Sequence, residues 1–409
     1  MPRALIIQLA RLGDLLQTGP AIAAVKQAEP DMELDLLCPA SLAPIGRLMP
    51  QVDHVFGWDG AQWQRNAQAA DKELHYGLIA AADHQIRAVT GTVYDRAYVL
   101  NQHPRALLAG ALLGKETIGP RYDPVVGHLT PWAAYIRRVA QTGLSHRVHL
   151  ADAFCGLCLV RPTGRAISIG RPAEPLRADL AEIGRGEGPW IGLIVGAGDP
   201  LRLVPIPVWR ELIAGYVEAA PRGSVVLIGD KQECERAREI QEGLASTVQA
   251  RLWDLTGRTT LTELASVLSR CHHVVGADTG PLHLAAAVGT RVIGWYFARA
   301  RVHETGPYGE GHVVWQADGV RDHVRNAPAG SFGQVVPDPV PETTVSPTQW
   351  PVDATVADLV GRGAESVDGW SQWHSHCDGW GAYFSESVEG SSAPIERERT
   401  WHLLHPAHV

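Results

Sequence analysis

Short apolar runs alternate with helical patterns through the first part of the chain. Residues 3–10 are rich in Leu and Ile, which is typical of a strand buried on both faces of a parallel sheet. Apolar side chains then recur at helical spacing from Leu15 to Ala28, and Pro30 ends this pattern. Further strands are predicted at 32–37, 53–56, 94–100 and 117–118, and helical segments at 42–48, 105–114 and 132–159. This alternation predicts parallel strands joined by right-handed crossovers.

A second series of the same kind begins at Trp190. An apolar run at 190–195 leads into a glycine-containing loop, and Glu263, three residues after Thr260, completes a capping-box pattern. The predicted strands of this series are 190–195, 224–228, 253–255, 272–276 and 291–296, and the predicted helices are 207–220, 229–244, 261–269, 281–289 and 353–361. The two series predict two Rossmann-like, doubly wound α/β domains.

Composition shifts divide the chain. Its 409 residues exceed the roughly 250–300 at which single cores stop growing, so at least two domains are expected. A stretch rich in Gly, Pro and Arg places the linker at 166–188, between an N-terminal domain at 1–165 and a C-terminal domain at 189–318. Residues 319–409 are predicted to form a Pro-rich crossing segment and an aromatic, His-rich tail, docked on the body or partly disordered. No compact set of these histidines has metal-ligand spacing.

Composition and charge narrow the class of protein. The balance of 20% charged and 45% hydrophobic residues is that of a globular protein, and a net charge of −8 disfavours nucleic acid as a partner. The first apolar run ends at Arg11, too soon for a signal peptide, and no apolar run reaches about 18 residues. We therefore expect a cytoplasmic protein. Six scattered cysteines fit reduced thiols, and the lone Cys155-Gly-Leu-Cys158 pair fits structural thiols on a helix better than a metal or redox site.

The stretch Val274–Gly289 predicts a buried strand, an abrupt turn and a helix. Gly280 can cap this helix, Pro281 suits its first position, and Gly289 lies where it stops. A helix start has unpaired N–H groups and about half a positive charge, so it favours an anion. These residues alone fit a phosphate-holding turn and an ordinary strand-to-helix connection equally well.

Three loops follow the carboxyl ends of predicted strands, where doubly wound domains bind ligands. They are 11–14 in the first domain and 196–202 and 276–280 in the second. This arrangement suits a substrate held across an interdomain cleft. The chain has no Gly-X-Gly-X-X-Gly after its first strand, no Walker A motif and no Gly-X-Ser-X-Gly elbow, which argues against a dinucleotide dehydrogenase, a nucleoside triphosphatase and a serine hydrolase.

Four segments carry a more specific signal. They are Arg11-Leu-Gly-Asp14 followed by Pro20, Gln51–Val55, Glu304–Gly309 and, above all, Asp278-Thr-Gly-Pro-Leu-His-Leu-Ala-Ala-Ala287. Over about residues 3–315 the chain resembles the ADP-heptose:lipopolysaccharide heptosyltransferase family, glycosyltransferase family nine. The resemblance implies a GT-B fold with two domains facing across a cleft, inversion at the transferred sugar, and no metal or other cofactor.

On the acceptor side, the resemblance assigns Asp14 as the general base that takes the proton of the acceptor hydroxyl. An unshifted Asp is a weak base, so the site should raise its pKa or make the proton transfer late. Asp14 would also cap a helix that starts at Leu15. Arg11 and Gly13 are placed on this side too, with Gly13 allowing close approach of the backbone to a ligand.

On the donor side, the resemblance assigns Asp278 to the donor sugar, and Thr279 with the amides of 280–283 to the diphosphate. His283 could bond the phosphate or satisfy the loop. Arg202 stands where the family usually has Lys, and Val204 where it usually has Trp, so the donor geometry could differ. The predicted donor-binding set is Gly196, Arg202, Asp278, Thr279, Gly280, Pro281, His283 and Leu284.

The sequence therefore predicts an inverting, metal-independent glycosyltransferase. It would move a heptose or related sugar from a nucleotide-diphosphate donor, ADP-heptose by resemblance, to a saccharide or glycolipid such as lipopolysaccharide core. A lipid-bound acceptor implies peripheral contact with the inner face of the plasma membrane. Two alternatives stay open: a sugar-nucleotide 2-epimerase of GT-B architecture, and a non-catalytic sugar-nucleotide or glycan-binding protein.

Overall fold

The computed structural model contains two sheets, each built around parallel strands. It describes residues 1–60, 84–121, 130–142, 148–172, 176–177, 180–181, 188–318, 349–378, 381–386 and 401, with backbone alone for 137–142. The strands of the first sheet are β1 (Arg3–Ile7), β2 (Glu33–Pro39), β3 (Val55–Trp58), β4 (Tyr94–Val99) and β5 (Gly114–Ile118). The helices around it are α1 (Leu12–Gln17), α2 (Gly19–Ala28), α3 (Ala43–Gly46), α4 (Pro104–Leu113), α5 (Pro131–Thr142) and α6 (Leu150–Leu157), with a further helical stretch at 84–90 and a 3₁₀ turn at Ala40–Leu42.

The first sheet has the strand order β3-β2-β1-β4-β5, and all its neighbours are parallel. β1 lies at the centre, where the side chains of Ala4 to Ile7 are fully buried. The strand order reverses between β1 and β4, so the loop after β1 lies at the switch point of the sheet. That loop leads directly into α1.

One helix predicted at Leu15–Ala28 is two helices in the structure. α1 ends at Gln17, the Thr18 hydroxyl donates to the Asp14 carbonyl oxygen at 2.9 Å, and α2 begins at Gly19. Pro20 explains the break, because it has no N–H to continue the hydrogen-bond ladder and is tolerated at the start of a new helix.

The second sheet is larger. Its strands are β6 (Trp190–Ile194), β7 (Ser224–Ile228), β8 (Leu252–Asp254), β9 (His273–Ala277), β10 (Arg291–Tyr296), β11 (Val313–Ala317), β12 (Trp370–Asp378) and β13 (Gly381–Glu386). Its helices are α7 (Ile206–Ala219), α8 (Cys234–Glu242), α9 (Ser246–Gln249), α10 (Leu261–Leu268), α11 (Gly280–Ala287), α12 (Val302–Thr305) and α13 (Val352–Leu359), with 3₁₀ turns at Pro200–Arg202 and Lys231–Glu233. The order is β13-β12-β11-β10-β9-β6-β7-β8, and the parallel part reverses between β6 and β9.

Most predicted elements of the second domain are confirmed within one or two residues. The capping box of α10 is present: the Thr260 hydroxyl accepts from the Glu263 N–H at 3.2 Å, and the Glu263 carboxylate accepts from the Thr260 N–H at 2.8 Å. Gly289 ends α11 with φ +85, a conformation that favours glycine. Cys155 and Cys158 are buried free thiols at the end of α6, as structural thiols would be.

The sequence did not predict the β12–β13 hairpin. Residues 370–378 pair antiparallel with β11, and 381–386 pair antiparallel with β12, so part of the predicted tail extends the second sheet. Trp401 docks on the first domain, with its ring centroid 4.9 Å from that of Trp132. The Pro-rich residues 319–348 and much of the linker lie outside the described residues. The domain boundaries stay predictions.

The two domains share buried contacts. One cluster of buried apolar side chains includes Leu15 and Phe154 from the first domain and Leu284 and Tyr308 from the second. Among the described residues, no helix is both long and apolar enough to span a membrane.

Candidate active site

The helices after β1 and β9 meet at their N-terminal ends. α1 packs against α11, and two glycines set how closely they approach. A Cβ on Gly13 would lie 3.0 Å from Cδ2 of His283, and a Cβ on Gly280 would lie 3.0 Å from Cβ of Leu12. The sequence predicted Gly13 for close approach to a ligand, whereas in the structure its neighbour is the His283 ring. The predicted acceptor-side and donor-side turns are therefore adjacent.

Asp14 lies in the first turn of α1. The helix begins at Leu12 with Arg11 as its N-cap, so the predicted start at Leu15 is wrong and Asp14 is not the N-cap. Its carboxylate instead reaches back and accepts the Arg11 N–H at 3.3 Å. Burial raises the pKa of Asp14, and the Arg11 N–H and the charges of His283 and Arg11 offset this only in part. Asp14 thus has the raised pKa that a carboxylate base needs.

Asp278 lies just beyond β9 and is only 8% exposed. Arg202 Nη1 donates to its Oδ2 and to its carbonyl oxygen, both at 2.9 Å, and His283 Nε2 lies 3.4 Å from its Oδ1. Burial opposes ionisation of Asp278, but the His283 hydrogen bond, the charges of His283 and Arg202, and a bond from Thr305 together lower its pKa. The Asp278 carboxylate is held in one orientation, and its surroundings favour the ionised form.

Thr305 is a site residue that the sequence did not single out. Its hydroxyl donates to Asp278 Oδ2 at 3.2 Å, and its carbonyl oxygen accepts from the buried Tyr296 hydroxyl at 2.7 Å. The available signal was the family-like segment Glu304–Gly309, which contains Thr305 but does not reveal its partner. Three side chains, from the 3₁₀ turn at Pro200–Arg202 and from helices α11 and α12, therefore fix the orientation of Asp278.

The start of α11 differs in detail from the prediction. Thr279, with φ −147 and ψ 161, is the N-cap in place of Gly280, and Pro281 is the second helical residue. The amides of Leu282 and His283 already donate to the Thr279 carbonyl oxygen, at 3.1 and 3.4 Å, and proline has no N–H. In this structure those two amides are therefore already engaged, and the assignment of the amides of 280–283 to a diphosphate stays a prediction. Within the described residues, the buried Thr279 hydroxyl has no hydrogen-bond partner.

Other predicted site residues have different surroundings. A Cβ on Gly196 would lie about 2 Å from the Glu233 carboxylate, so the absence of a side chain there makes room for Glu233. The Leu284 side chain is fully buried in the core, and its place in the donor-binding set stays a prediction. Arg11 is exposed, and the structure shows its backbone N–H engaged with Asp14.

A cavity of about 310 Å³ lies at the carboxyl edge of the first sheet. It is lined by Pro39 at the end of β2 and Ser41 after it, by Trp58 at the end of β3 and Asp59 after it, and by Arg105 of α4. The cavity is therefore on the edge of the sheet that also carries the β1–α1 loop and Asp14.

Within the described residues, a single group of side chains has the spacing of a metal site, namely Glu33, Asp35 and His54. Arg3 Nη2 lies 2.8 Å from Glu33 and 3.2 Å from Asp35, and the Tyr94 hydroxyl donates to Asp35 at 2.7 Å. Since an arginine already neutralises these carboxylates, the group is an ion-pair cluster at the amino ends of β1 and β2.

Two Rossmann-type domains whose central strands each lead into a helix at their junction have the architecture of the GT-B fold, and the solved structures that align with the chain share it. A family model described as glycosyltransferase family 9 (heptosyltransferase) matches residues 84–325, more than half of the chain. The chain belongs to glycosyltransferase family 9, and it is an enzyme that transfers sugars.

Known relatives and structures agree with this family. The chain is 24% identical to lipopolysaccharide heptosyltransferase 2 of Escherichia coli over 320 residues, which cover 72% of this chain and 82% of that protein. The glycosyltransferase family 9 structure from Veillonella parvula aligns with a TM-score of 0.60 at 18% identity, covering 76% of this chain and 85% of that one. An Escherichia coli heptosyltransferase solved with ADP-2-deoxy-2-fluoro heptose aligns with a TM-score of 0.55 at 20% identity, covering 78% and 95%.

Proposed function

We propose that this enzyme transfers a heptose from ADP-heptose to a saccharide of the lipopolysaccharide core type, with inversion at the anomeric carbon and without a metal. The observation that carries the proposal is the direct approach of α1, which bears Asp14, to α11 and Asp278 through Gly13 and His283. A base and a donor-holding carboxylate on opposite domains suit a single in-line displacement between two substrates.

Asp14 would act as the general base. A raised pKa brings the carboxylate closer to the range in which it accepts a proton efficiently. The acceptor hydroxyl loses its proton to Asp14 as its oxygen attacks the anomeric carbon, and the diphosphate leaves from the opposite face. One displacement of this kind inverts the stereochemistry.

The donor would lie against Asp278 and the start of α11. Asp278, held ionised by Arg202 and His283, is suited to accept hydrogen bonds from sugar hydroxyls. The Thr279 hydroxyl and the positive end of α11 would stabilise the charge that grows on the leaving diphosphate. The Escherichia coli enzyme solved with a fluorinated ADP-heptose supports ADP-heptose as the donor to test first.

The acceptor would enter from the first domain. The cavity lined by Ser41, Trp58 and Arg105 lies on the same sheet edge as the loop that leads to Asp14. Arg105 offers a cation to an acidic group of the acceptor. The lipopolysaccharide heptosyltransferases among the relatives support a glycolipid acceptor, which would bring the enzyme into peripheral contact with a membrane.

The Asp14→Asn variant tests this assignment. We expect kcat to fall about 100- to 10,000-fold, because the amide cannot take a proton, while the Kd of ADP-heptose changes less than about twofold. Transfer to lipopolysaccharide core acceptors would be measured by mass spectrometry and donor binding by calorimetry. Asp353→Asn is the matched control, since Asp353 is also a carboxylate in the first turn of a helix but lies on α13.

Wild-type turnover in Asp14→Asn would show that another group is the base. A reaction with donor alone separates the alternatives: an epimerised nucleotide sugar would identify an epimerase, whereas a transferase needs the acceptor to form product. Full activity after dialysis against EDTA is expected of the metal-independent mechanism, and lost activity restored by a divalent cation would overturn it.

A further inference from the structure

A second junction between the domains lies behind the loop that carries Thr305. Three segments meet there: the start of α6 in the first domain, the loop 306–308, and β13. α6 also packs against α1 and α2. One helix therefore contacts both the helix that bears Asp14 and the loop that orients Asp278.

His149 makes the first bond of this junction. It is the N-cap of α6, and its Nδ1 accepts the Ala151 N–H at 3.1 Å. Because Nδ1 accepts, the ring proton lies on Nε2, which donates to the Gly306 carbonyl oxygen at 2.8 Å. Gly306 directly follows Thr305, so this bond fixes the backbone next to the threonine that holds Asp278.

Asp152 makes the second bond. Its buried carboxylate accepts the Tyr308 hydroxyl at 2.6 Å through Oδ1 and the Ala382 N–H at 2.9 Å through Oδ2. β13 closes tightly over this carboxylate, since a Cβ on Gly381, whose φ is +103, would lie within 2.3 Å of it. Tyr308 is itself only 1% exposed. A charged hydrogen bond in a closed environment is strong and geometrically specific.

Phe384 of β13 supports the same loop from the other side. A Cβ on Gly306 would collide with its ring, so the phenyl group lies directly against the backbone that follows Thr305. The hairpin that contains Phe384 lies outside residues 84–325, which the family model matches. The contact of β13 with the backbone next to Thr305 is therefore made by residues that the family model does not match.

We propose that Tyr308 and Asp152 are positioning residues of the transferase, which set the spacing between Asp14 and the donor held at Asp278. This inference rests on the proposed function. Tyr308 ties the Thr305 loop to α6, and α6 ties it to α1. Loosening this bond lets the base and the anomeric carbon drift apart without removing any group that touches the donor.

The Tyr308→Phe variant removes one hydroxyl. We expect kcat to fall about 10- to 100-fold, because sub-ångström misplacement of reacting groups is costly, and the KM for ADP-heptose to change less than about twofold. Tyr94→Phe is the matched control. Its hydroxyl is buried and donates to buried Asp35 at 2.7 Å, but both residues lie in the first domain, Tyr94 at the amino end of β4 and Asp35 within β2, away from the β1–α1 loop. Its kcat should stay at the wild-type value.

A readout without turnover keeps the inference separate from the proposed function. Amide hydrogen exchange should become faster at 12–17 and 301–308 in Tyr308→Phe, and should stay unchanged there in Tyr94→Phe. If wild type transfers no heptose, the proposed function fails, and the exchange pattern still decides whether Tyr308 couples the two loops. Equal loss of kcat in both variants, a change in KM alone, or unchanged exchange at 12–17 would overturn the inference.

Discussion

Asp14 and Asp278 are two carboxylates that flank one histidine, yet their environments shift their pKa values in opposite directions. His283 lies 3.4 Å from Asp278 and lowers the pKa of both residues. Asp278 also has Arg202 and Thr305, so its ionised form is favoured despite burial. The carboxylate of Asp14 accepts a hydrogen bond from the Arg11 amide, but this bond lowers the pKa by less than burial raises it, so the pKa of Asp14 is raised.

This difference in pKa direction supports the proposed roles of the two carboxylates. A pair of titratable groups whose pKa values are pushed apart by their surroundings marks the division of acid–base work in a site. Asp278 is held by three side chains that favour its charged form, which fits the proposed donor-binding role. The raised pKa of Asp14 fits its proposed role as the group that accepts the proton. Three predictions test this contrast.

The largest expected effect comes from neutralising Asp278. Asp278→Asn should lower kcat/KM about 100-fold and weaken donor binding, because the amide leaves Arg202 without its carboxylate and presents an N–H₂ group to the sugar or to Thr305. Steady-state kinetics and calorimetry would separate this result from that of Asp14→Asn, which should lose kcat alone. If both variants lost only kcat, the proposed division of roles would be wrong.

The pH dependence should report Asp14. Its raised pKa means that protonation begins at a higher pH than the value of about 4 for an ordinary Asp, so the acid limb of kcat/KM should lie above pH 4. Below this limb, activity should fall about tenfold per pH unit, since only the ionised form is a base. The lowered pKa of Asp278 keeps it ionised over the same range. An acid limb at or below pH 4 would contradict the assignment.

The smallest effect is on stability, and its sign should differ between the two residues. The native state binds a proton on Asp14 more tightly than the unfolded state does, so ionising Asp14 costs stability as pH rises from the unfolded to the folded pKa. Asp14→Asn should therefore raise the free energy of unfolding at pH 7 by about 0.5–1 kcal/mol.

For Asp278 the linkage is reversed. Its lowered pKa contributes stability that is present above the unfolded pKa and is lost as pH falls through the folded one. Asp278→Asn should lower the free energy of unfolding at pH 7 by about 1–2 kcal/mol. Denaturant titrations at pH 7 measure the change in the free energy of unfolding for both variants. If both changes had the same direction, the opposite pKa shifts of Asp14 and Asp278 would be contradicted.

Much of the fold could be predicted because its strands are buried on both faces. Continuous apolar runs such as 190–195 and 291–296 gave strand positions within a residue, and the alternation with helices gave parallel sheets. Strands β12 (370–378) and β13 (381–386) were not predicted, because β12 mixes Trp with Ser, His and Asp and neither strand shows a regular alternation of apolar and polar residues. Antiparallel addition to a sheet edge leaves little local signal.

The sequence predicted several residues of the candidate site, but it did not predict which of them contact one another. Asp14, Asp278 and His283 stand in the family-like motifs, and of the two expectations for Asp14, a raised pKa or a late proton transfer, the structure shows the raised pKa. The contact of Thr305 with Asp278 joins residues 27 positions apart, and that of Arg202 joins residues 76 apart. Such pairs depend on how loops from different strands converge, which spacing along the chain does not reveal.

Gly13 and Gly280 let α1 and α11 approach more closely than any residue with a Cβ would allow. Gly13 belongs to one domain and contacts His283, and Gly280 belongs to the other and contacts Leu12. An alanine at either position acts as a spacer that forces its neighbour to move by a few tenths of an ångström. Replacing either glycine by alanine would therefore increase the spacing between α1 and α11, and with it the distance from the proposed base to the donor, without removing any side chain proposed to act in the reaction.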